Sequence, residues 1–333
     1  VNKKISIFIP MKNEASGIAL LFDRLLPILE KASLKKQIVS LHHNVDSSLR
    51  GNDTTSALDY EIIVVNDGST DNTLDILLEY QKTIKNLVII DLSRNFGKEA
   101  ALYAGFANAT GDCVVALDAD LQDPPELILQ MIQYWQEGYE IVTAVRDDRT
   151  NDSFIKKSTA NLFYSLINKI SNTRLEPHAG DYRLLDRVAI DAFLSLDERV
   201  RFNKGLFSWL GFREKFVYHS REARAAGTTT WNYFKLIRFS LDGITSFSTF
   251  PLKIWTYLGL FTSLSSFLYA IYYFVRTMIL GIDVHGYPSL LLFMLFFSGL
   301  QMIGIGVLGE YIGRLFIETK RRPLYLIRNI YRN

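Results

Sequence analysis

Two uncharged apolar runs near the C-terminus, Ile254–Val275 and Gly286–Gly309, limit what this 333-residue chain can become. As a helix at about 1.5 Å per residue, each run is long enough to cross a hydrocarbon layer of about 30 Å. In lipid every backbone polar group must be satisfied within the segment. Two such runs separated only by Arg276–His285 therefore predict a transmembrane hairpin over 251–313, with spans at 254–279 and 287–309. The competing reading, a pair of buried core helices, is disfavoured by how closely the runs follow one another. The turn Leu280–Tyr287 carries no Lys or Arg, whereas the tail 314–333 carries Arg314, Lys320, Arg321, Arg322, Arg328 and Arg332. The excess of cations puts the tail in the cytoplasm, and two spans return the chain to the side on which it started. The short apolar run Ile5–Ile9 is too brief for a signal-peptide core. The expected location is the inner (cytoplasmic) membrane, multi-pass, with the preceding domain in the cytoplasm.

That preceding domain alternates strands and helices. Ile5–Pro10, Tyr60–Asn66, Leu87–Asp91, Cys113–Asp118 and Glu140–Ala144 read as strands; Ile18–Lys31, Leu74–Ile84, Lys98–Ala109 and Pro125–Glu137 read as helices. Fully apolar strands alternating with helices predict an α/β domain with a mostly parallel, Rossmann-like sheet covered on both faces. It is expected to span 1–225. Residues 33–58 are polar and turn-rich, and read as a surface insertion. A His42-His43-Asp46 metal site there lacks any tight ligand spacing. Between the domain and the hairpin, Arg199–Arg238 holds many cations opposed only by Glu214 and Glu222. Its stretch Trp231–Phe239 mixes aromatics with Lys235 and Arg238, which predicts amphipathic helices in the membrane interface over 226–250, in contact with the lipid bilayer.

Other classes are excluded by what the chain contains. The single Cys113, in an apolar run, rules out an intrachain disulfide and a cysteine metal cage. A net charge of +2 points to no nucleic-acid partner. No Gly-x-Gly-x-x-Gly follows the first strand, which removes a dinucleotide oxidoreductase.

In parallel sheets ligands bind at the C-terminal strand ends, and the polar residues gather there. Asp118-Ala119-Asp120 directly follows the fourth strand, and two carboxylates at such a position suit a hard divalent cation whose shell a diphosphate completes. Gln122 and Asp123 follow. Asn66-Asp67-Gly68-Ser69 ends the second strand, where Asp67 can accept hydrogen bonds from a base or ribose. Pro10, Asn13 and Glu14 end the first, and Asn95-Phe96-Gly97-Lys98 the third.

Together these motifs resemble the family 2, GT-A-type glycosyltransferases, and within them the bactoprenol glucosyltransferases and dolichol-phosphate mannosyltransferases. Gly180-Asp181-Tyr182-Arg183-Leu184, Arg201-Phe202-Asn203-Lys204-Gly205-Leu206, Gly309-Glu310-Tyr311 and Arg321-Arg322-Pro323-Leu324-Tyr325 match the same pattern, so the resemblance covers nearly the whole chain outside 33–58. Two positions depart from it: Met11-Lys12-Asn13-Glu14 stands where the family usually has Tyr-Asn-Glu, and Thr230 stands at a usual lysine.

The resemblance implies transfer of a hexose, best read as glucose, from a nucleotide-sugar donor, best read as a UDP-sugar, to a polyprenyl (undecaprenyl) phosphate acceptor. It implies Mg²⁺ or Mn²⁺ at Asp118, Asp120 and Gln122. Pro10, Asn13, Glu14, Asp67, Asn95, Gly97, Lys98 and Asp118 would hold the donor. Asp181, Asp120, Arg183 and Arg201 would be catalytic, and Arg146, Arg201 and Lys204 would receive the acceptor phosphate. Inversion by single displacement is expected, and a homo-oligomer is left open. The alternative, a non-catalytic lipid-binding or flipping module with a transferase-like domain, fits poorly with intact strand-end motifs. A processive synthase is excluded by the absence of Gln-x-x-Arg-Trp and by too few spans.

Overall fold

A computed structural model describes residues 3–42, 58–147, 176, 179–220, 250–280 and 286–333. Its N-terminal part is built on one eight-stranded sheet of order β7-β5-β6-β4-β1-β2-β3-β8. Strands β1 (Lys4–Met11), β2 (Asp59–Asn66), β3 (Leu87–Leu92) and β4 (Cys113–Ala116) run parallel, as expected from their apolar runs. Strand β5 (Ile141–Arg146) pairs parallel with β7 (Glu214–His219). Between β4 and β5 lies β6 (Ala179–Asp186), antiparallel to both.

Alternation along the strands sends side chains to two cores. Ile5, Ile7 and Ile9 of β1 pack with α1 (Ile18–His42), α2 (Thr73–Thr83) and α4 (Leu127–Gln136) on one face. Phe8 faces the other, against α3 (Lys98–Asn108), α5 (Arg187–Leu194) and α6 (Asn203–Trp209). Burial of these apolar residues is the main driving force for the layer, at about 25 cal/mol per Å². Gly105 lets α3 sit directly on Phe8, since a Cβ there would run into the ring.

Two long helices follow, α7 (Phe250–Leu280) and α8 (Tyr287–Thr319). They touch where Gly304 leaves room for Trp255, whose ring lies 3.2 Å from where a Cβ would stand. Apolar side chains such as Leu260, Phe261, Phe267, Phe293, Phe296 and Ile303 point outward, each more than 60% exposed. Phe296–Thr319, with mean hydropathy 1.3, is the one stretch among the described residues apolar and long enough to qualify as a span by composition.

The structure corrects two boundaries. Helix α1 runs on to His42, so Ser33–His42 is helical rather than part of a loop. The reason is visible afterwards in Leu34, Ile38 and Leu41, which keep a helical spacing. The rest of the predicted insertion, 43–57, lies outside the described residues, as do 221–249 with Thr230, Lys235 and Arg238. The basic tail is not free either. After α8 it returns to the sheet as β8 (Ile327–Tyr331), antiparallel to β3. Arg328 Nη2 donates to the Ser93 carbonyl at 2.8 Å, and Asn333 Nδ2 to that of Gln81 at 2.7 Å.

Candidate active site

Antiparallel pairing of β6 with β4 builds the centre of the site. Ala116 lies opposite Arg183 in this antiparallel pair, so two residues on from Ala116 and two back from Arg183 bring Asp118 and Asp181 to the same edge. Lys98, the first residue of α3, joins them: its Nζ is 2.8 Å from Asp118 Oδ1 and 2.7 Å from Asp181 Oδ2. Burial alone would weaken the charge of Lys98, but Asp181 and Asp118 hold its pKa above the ordinary lysine value. Burial alone would raise Asp181; Lys98 first, then Lys204, hold it well below the usual carboxylate range. Both groups are therefore ionised at neutral pH. Asp181 is only 14% exposed, and its Oδ1 has no hydrogen-bond partner among the described residues. A buried acceptor left open in this way is costly unless something else binds there.

The strand-end loops are tied to one another. Asn13 Oδ1 accepts the Thr70 N–H at 2.8 Å, the Asn13 N–H donates to Ser69 Oγ, and the Glu14 N–H donates to Thr73 Oγ1. Pro10 lies opposite Val65 in the pairing of β1 with β2 just before these turns. Asp67, expected at the nucleoside, bonds within the protein to the start of α3. Its two oxygens accept the N–H groups of Phe96 at 2.7 Å and Gly97 at 3.0 Å. A carboxylate at the start of α3 satisfies helix donors and complements the helix dipole. Asp67 thus sets the turn that delivers Lys98, helped by Asn95 Oδ1, which also accepts from the Gly97 N–H. Gly97 takes a φ of 97° there. Gly68, at φ 61°, packs so closely on Arg94 and Asn95 that a Cβ would clash with backbone.

Asp120 and Gln122 flank Leu121, a buried residue at φ 53°. Left-handed backbone at a bulky side chain is strained, and strain of this kind collects at functional loops. Asp120 Oδ1 accepts the Gln122 N–H at 3.2 Å, while Gln122 Oε1 is buried without a hydrogen-bond partner among the described residues. No group of three or more His, Cys, Asp or Glu among the described residues forms a metal cage of its own. Two carboxylates and an open amide oxygen do fit Mg²⁺ or Mn²⁺ held jointly with substrate phosphates.

The arginines divide. Arg146 keeps its Nε 3.9 Å from Asp123 Oδ1. Arg183 is 2% exposed, lies 4.1 Å over the Phe207 ring and donates to the Gly180 carbonyl at 2.7 Å. Its charge helps hold Asp181 ionised. Arg201 is likewise taken up. Its guanidinium packs 4.7 Å and 4.5 Å from the rings of Tyr103 and Phe193 and donates to the carbonyl of Leu196 and to Asn203 Oδ1. These bonds tie it into the 196–203 turn. Lys204, next along, keeps its charge near Asp181.

Three participants escape sequence reading. Glu99 accepts the Asn203 N–H at 3.2 Å, and burial together with Asp181 pushes its pKa up to about 7. Buried Asp123 meets His219 Nε2 at 3.5 Å as well as Arg146, joining the ends of β5 and β7 to the loop after β4. The signal for Glu99 was its place beside Lys98 at a helix start; for His219 there was none, because β7 was not recognised.

The family model for glycosyl transferase family 2 matches residues 6–194, and one for a GtrB C-terminal hairpin matches 250–315. An uncharacterized glycosyltransferase of Synechocystis is 46% identical over 98% of this chain and 96% of its own length. A prophage bactoprenol glucosyl transferase homolog of Escherichia coli is 43% identical over 98% of this chain and 99% of its own. Among solved structures, mannosyl-3-phosphoglycerate synthase from Rubrobacter xylanophilus is similar over 72% of this chain and 71% of its own, with 17% identity and a TM-score of 0.45. With a match of this extent over the catalytic layer and the hairpin, the chain belongs to glycosyl transferase family 2.

Proposed function

We propose that this enzyme transfers glucose from a nucleotide-diphosphate sugar to a polyprenyl phosphate. The observation that carries the reading is the Asp118–Lys98–Asp181 cluster, an ionised group of mixed sign at the C-terminal edge of the sheet. The bactoprenol glucosyl transferases among its relatives point to the same acceptor class.

The chemistry asks for positioning more than for a base. A phosphate monoester has its second pKa near about 6, so at neutral pH the acceptor is mostly a dianion. One of its oxygens attacks the anomeric carbon; the bond from that carbon to the donor diphosphate breaks, and the leaving nucleoside diphosphate takes the electron pair. A single displacement inverts the anomeric centre. Lys98, held protonated, supplies positive charge beside the departing diphosphate. Asp118, Asp120 and Gln122 would hold Mg²⁺ or Mn²⁺, which supplies Lewis-acid stabilisation of that leaving group when bound. Asp181 orients the reacting sugar, and Lys204 and Arg146 receive the acceptor phosphate. Fixed charges of this kind act most strongly where water is excluded.

We infer that α7 and α8 anchor this layer to the bilayer as two spans, with the catalytic domain and the cations after α8 on the cytoplasmic side. Their outward apolar side chains support contact with lipid. The test is a panel of nucleotide sugars offered to the purified full-length protein with undecaprenyl phosphate and Mg²⁺ or Mn²⁺, with products identified by mass. A glucosyl phospholipid from the UDP-glucose arm is expected. Donor consumption with no lipid product in any arm would overturn the reading.

A further inference from the structure

Helix α8 ends against the catalytic layer, and one side chain makes the connection. Glu318, in its last turn, is partly buried while Leu315, Phe316, Ile317 and Thr319 around it are exposed. Its carboxylate accepts the backbone N–H of Arg199 at 2.8 Å and 3.0 Å and that of Val200 at 2.9 Å. A negative charge in the last turn opposes the helix dipole, so α8 itself gains nothing from a glutamate there. The gain lies across the gap, in the turn that Glu318 holds.

That turn runs directly into Arg201-Phe202-Asn203-Lys204. Its far end is also fixed: Arg201 sits between Tyr103 and Phe193, and the Asn203 N–H donates to Glu99. Glu99 is followed back along α3 by Lys98, which bridges Asp118 and Asp181. From the end of α8 to Asp181 every link is a hydrogen bond, a ring contact, an ion pair or a peptide step.

We propose that Glu318 is a positioning residue: it is the clamp by which helix α8 sets the height of Lys204 against the Asp118–Lys98–Asp181 cluster. The inference rests on reading Lys204 as a contact to the acceptor phosphate. A polyprenyl phosphate is anchored by its tail, so its phosphate lies at a depth the bilayer dictates. The protein has to present Lys204 at the matching depth, and misplacement by about 1 Å costs about a hundredfold in such reactions. A soluble acceptor has no fixed depth and is insensitive to the clamp.

The experiment compares Glu318→Ala, Glu318→Gln, Glu318→Asp and Lys204→Met in the full-length protein, using undecaprenyl phosphate, a short water-soluble isoprenyl phosphate and the nucleotide sugar. Glu318→Ala is expected to raise KM for undecaprenyl phosphate about tenfold, with donor KM and transfer to the short acceptor within about twofold of the parent. Glu318→Gln, which keeps an acceptor oxygen in place, restores most of the loss. Should Glu318→Ala fail to fold, Glu318→Asp, with its carboxylate withdrawn by one methylene, is expected to give the same split between long and short acceptors. Equal loss with both acceptors and the donor, or no change with undecaprenyl phosphate, overturns the clamp. Lys204→Met separates the two ideas, because it should raise KM for both acceptors. If it does and the Glu318 variants do not, the clamp alone is wrong. If it changes neither, the reading of Lys204 fails and the clamp with it.

Discussion

Glu61 and Asp181 are buried to a similar degree, with 10% and 14% of their side chains exposed, at opposite edges of one sheet. Glu61 lies at the N-terminal edge. It receives Lys4 Nζ at 2.8 Å, Ser6 Oγ at 2.5 Å, and the N–H and hydroxyl of Thr110 at 2.8 Å and 2.9 Å. Burial would raise its pKa, but these donors outweigh it and hold the carboxyl below its ordinary value. Asp181, at the C-terminal edge, has Lys98 on one oxygen and an open acceptor on the other. Both are ionised, yet one is finished and the other is not. A fully satisfied buried carboxylate stabilises a fold; a partly satisfied one retains capacity for a ligand. The difference marks which edge does chemistry without reference to any relative.

The comparison can be broken most decisively at the unfinished edge. Asp118→Asn and Asp120→Asn should each lower kcat by two orders of magnitude or more, about 3 kcal/mol of transition-state stabilisation, with the thermal midpoint nearly unchanged. Excess chelator should abolish turnover of the parent protein, and full activity in chelator would sink the metal assignment. Asp181→Asn comes next, with a drop in kcat of about a hundredfold at little change in donor KM, read from steady-state kinetics. A mere rise in donor KM would instead make Asp181 a binding residue.

At the finished edge the expectation reverses. Glu61→Gln should cost about 1–3 kcal/mol of stability, measured by denaturant or thermal unfolding, and leave kcat within about twofold. The sign of its pH dependence follows from the lowered pKa. The contribution of Glu61 is present above its unfolded value near 4.5 and is lost as pH falls through the lower folded value. Glu61→Gln should therefore flatten the acid side of the stability profile, and an unchanged slope would refute the account. The smallest effect belongs to Lys4→Met. Lys4 is 33% exposed, and Glu61 keeps Ser6 and Thr110 without it, so about 0.5–1 kcal/mol is expected.

The same contrast explains what could be read from the chain. Strands β1 to β4 announce themselves because each is a largely apolar run ended by turn-forming residues, and the site loops are those turns. Strand β7, Glu-Lys-Phe-Val-Tyr-His, and strand β8, Ile-Arg-Asn-Ile-Tyr, are short, charged edge strands. Their pairing is decided by the neighbour they find, which no local pattern records. The placement of side chains was legible where position along the strand settles it, as for Asp118 and Asp181. Contacts were not legible where only orientation decides them. Arg201 carries the same charge whether it faces a phosphate or two aromatic rings, and Asp67 accepts hydrogen bonds equally well from a ribose or from the start of α3. The full extent of α1 was missed because Lys35, Lys36 and Gln37 mask the apolar spacing of Leu34, Ile38 and Leu41.

Strand β8 has a consequence for how the protein is made. It follows both long helices in the chain but completes the sheet that begins at Lys4. During synthesis the first strands emerge long before it, leaving β3 as an open edge throughout translation of α7 and α8. An unpaired, apolar edge strand is a template for wrong partners. The tail beyond α8 has to reach β3 before that edge is covered. The sheet is therefore completed only after both long helices have been made, and the order of synthesis runs opposite to the order of pairing at this edge.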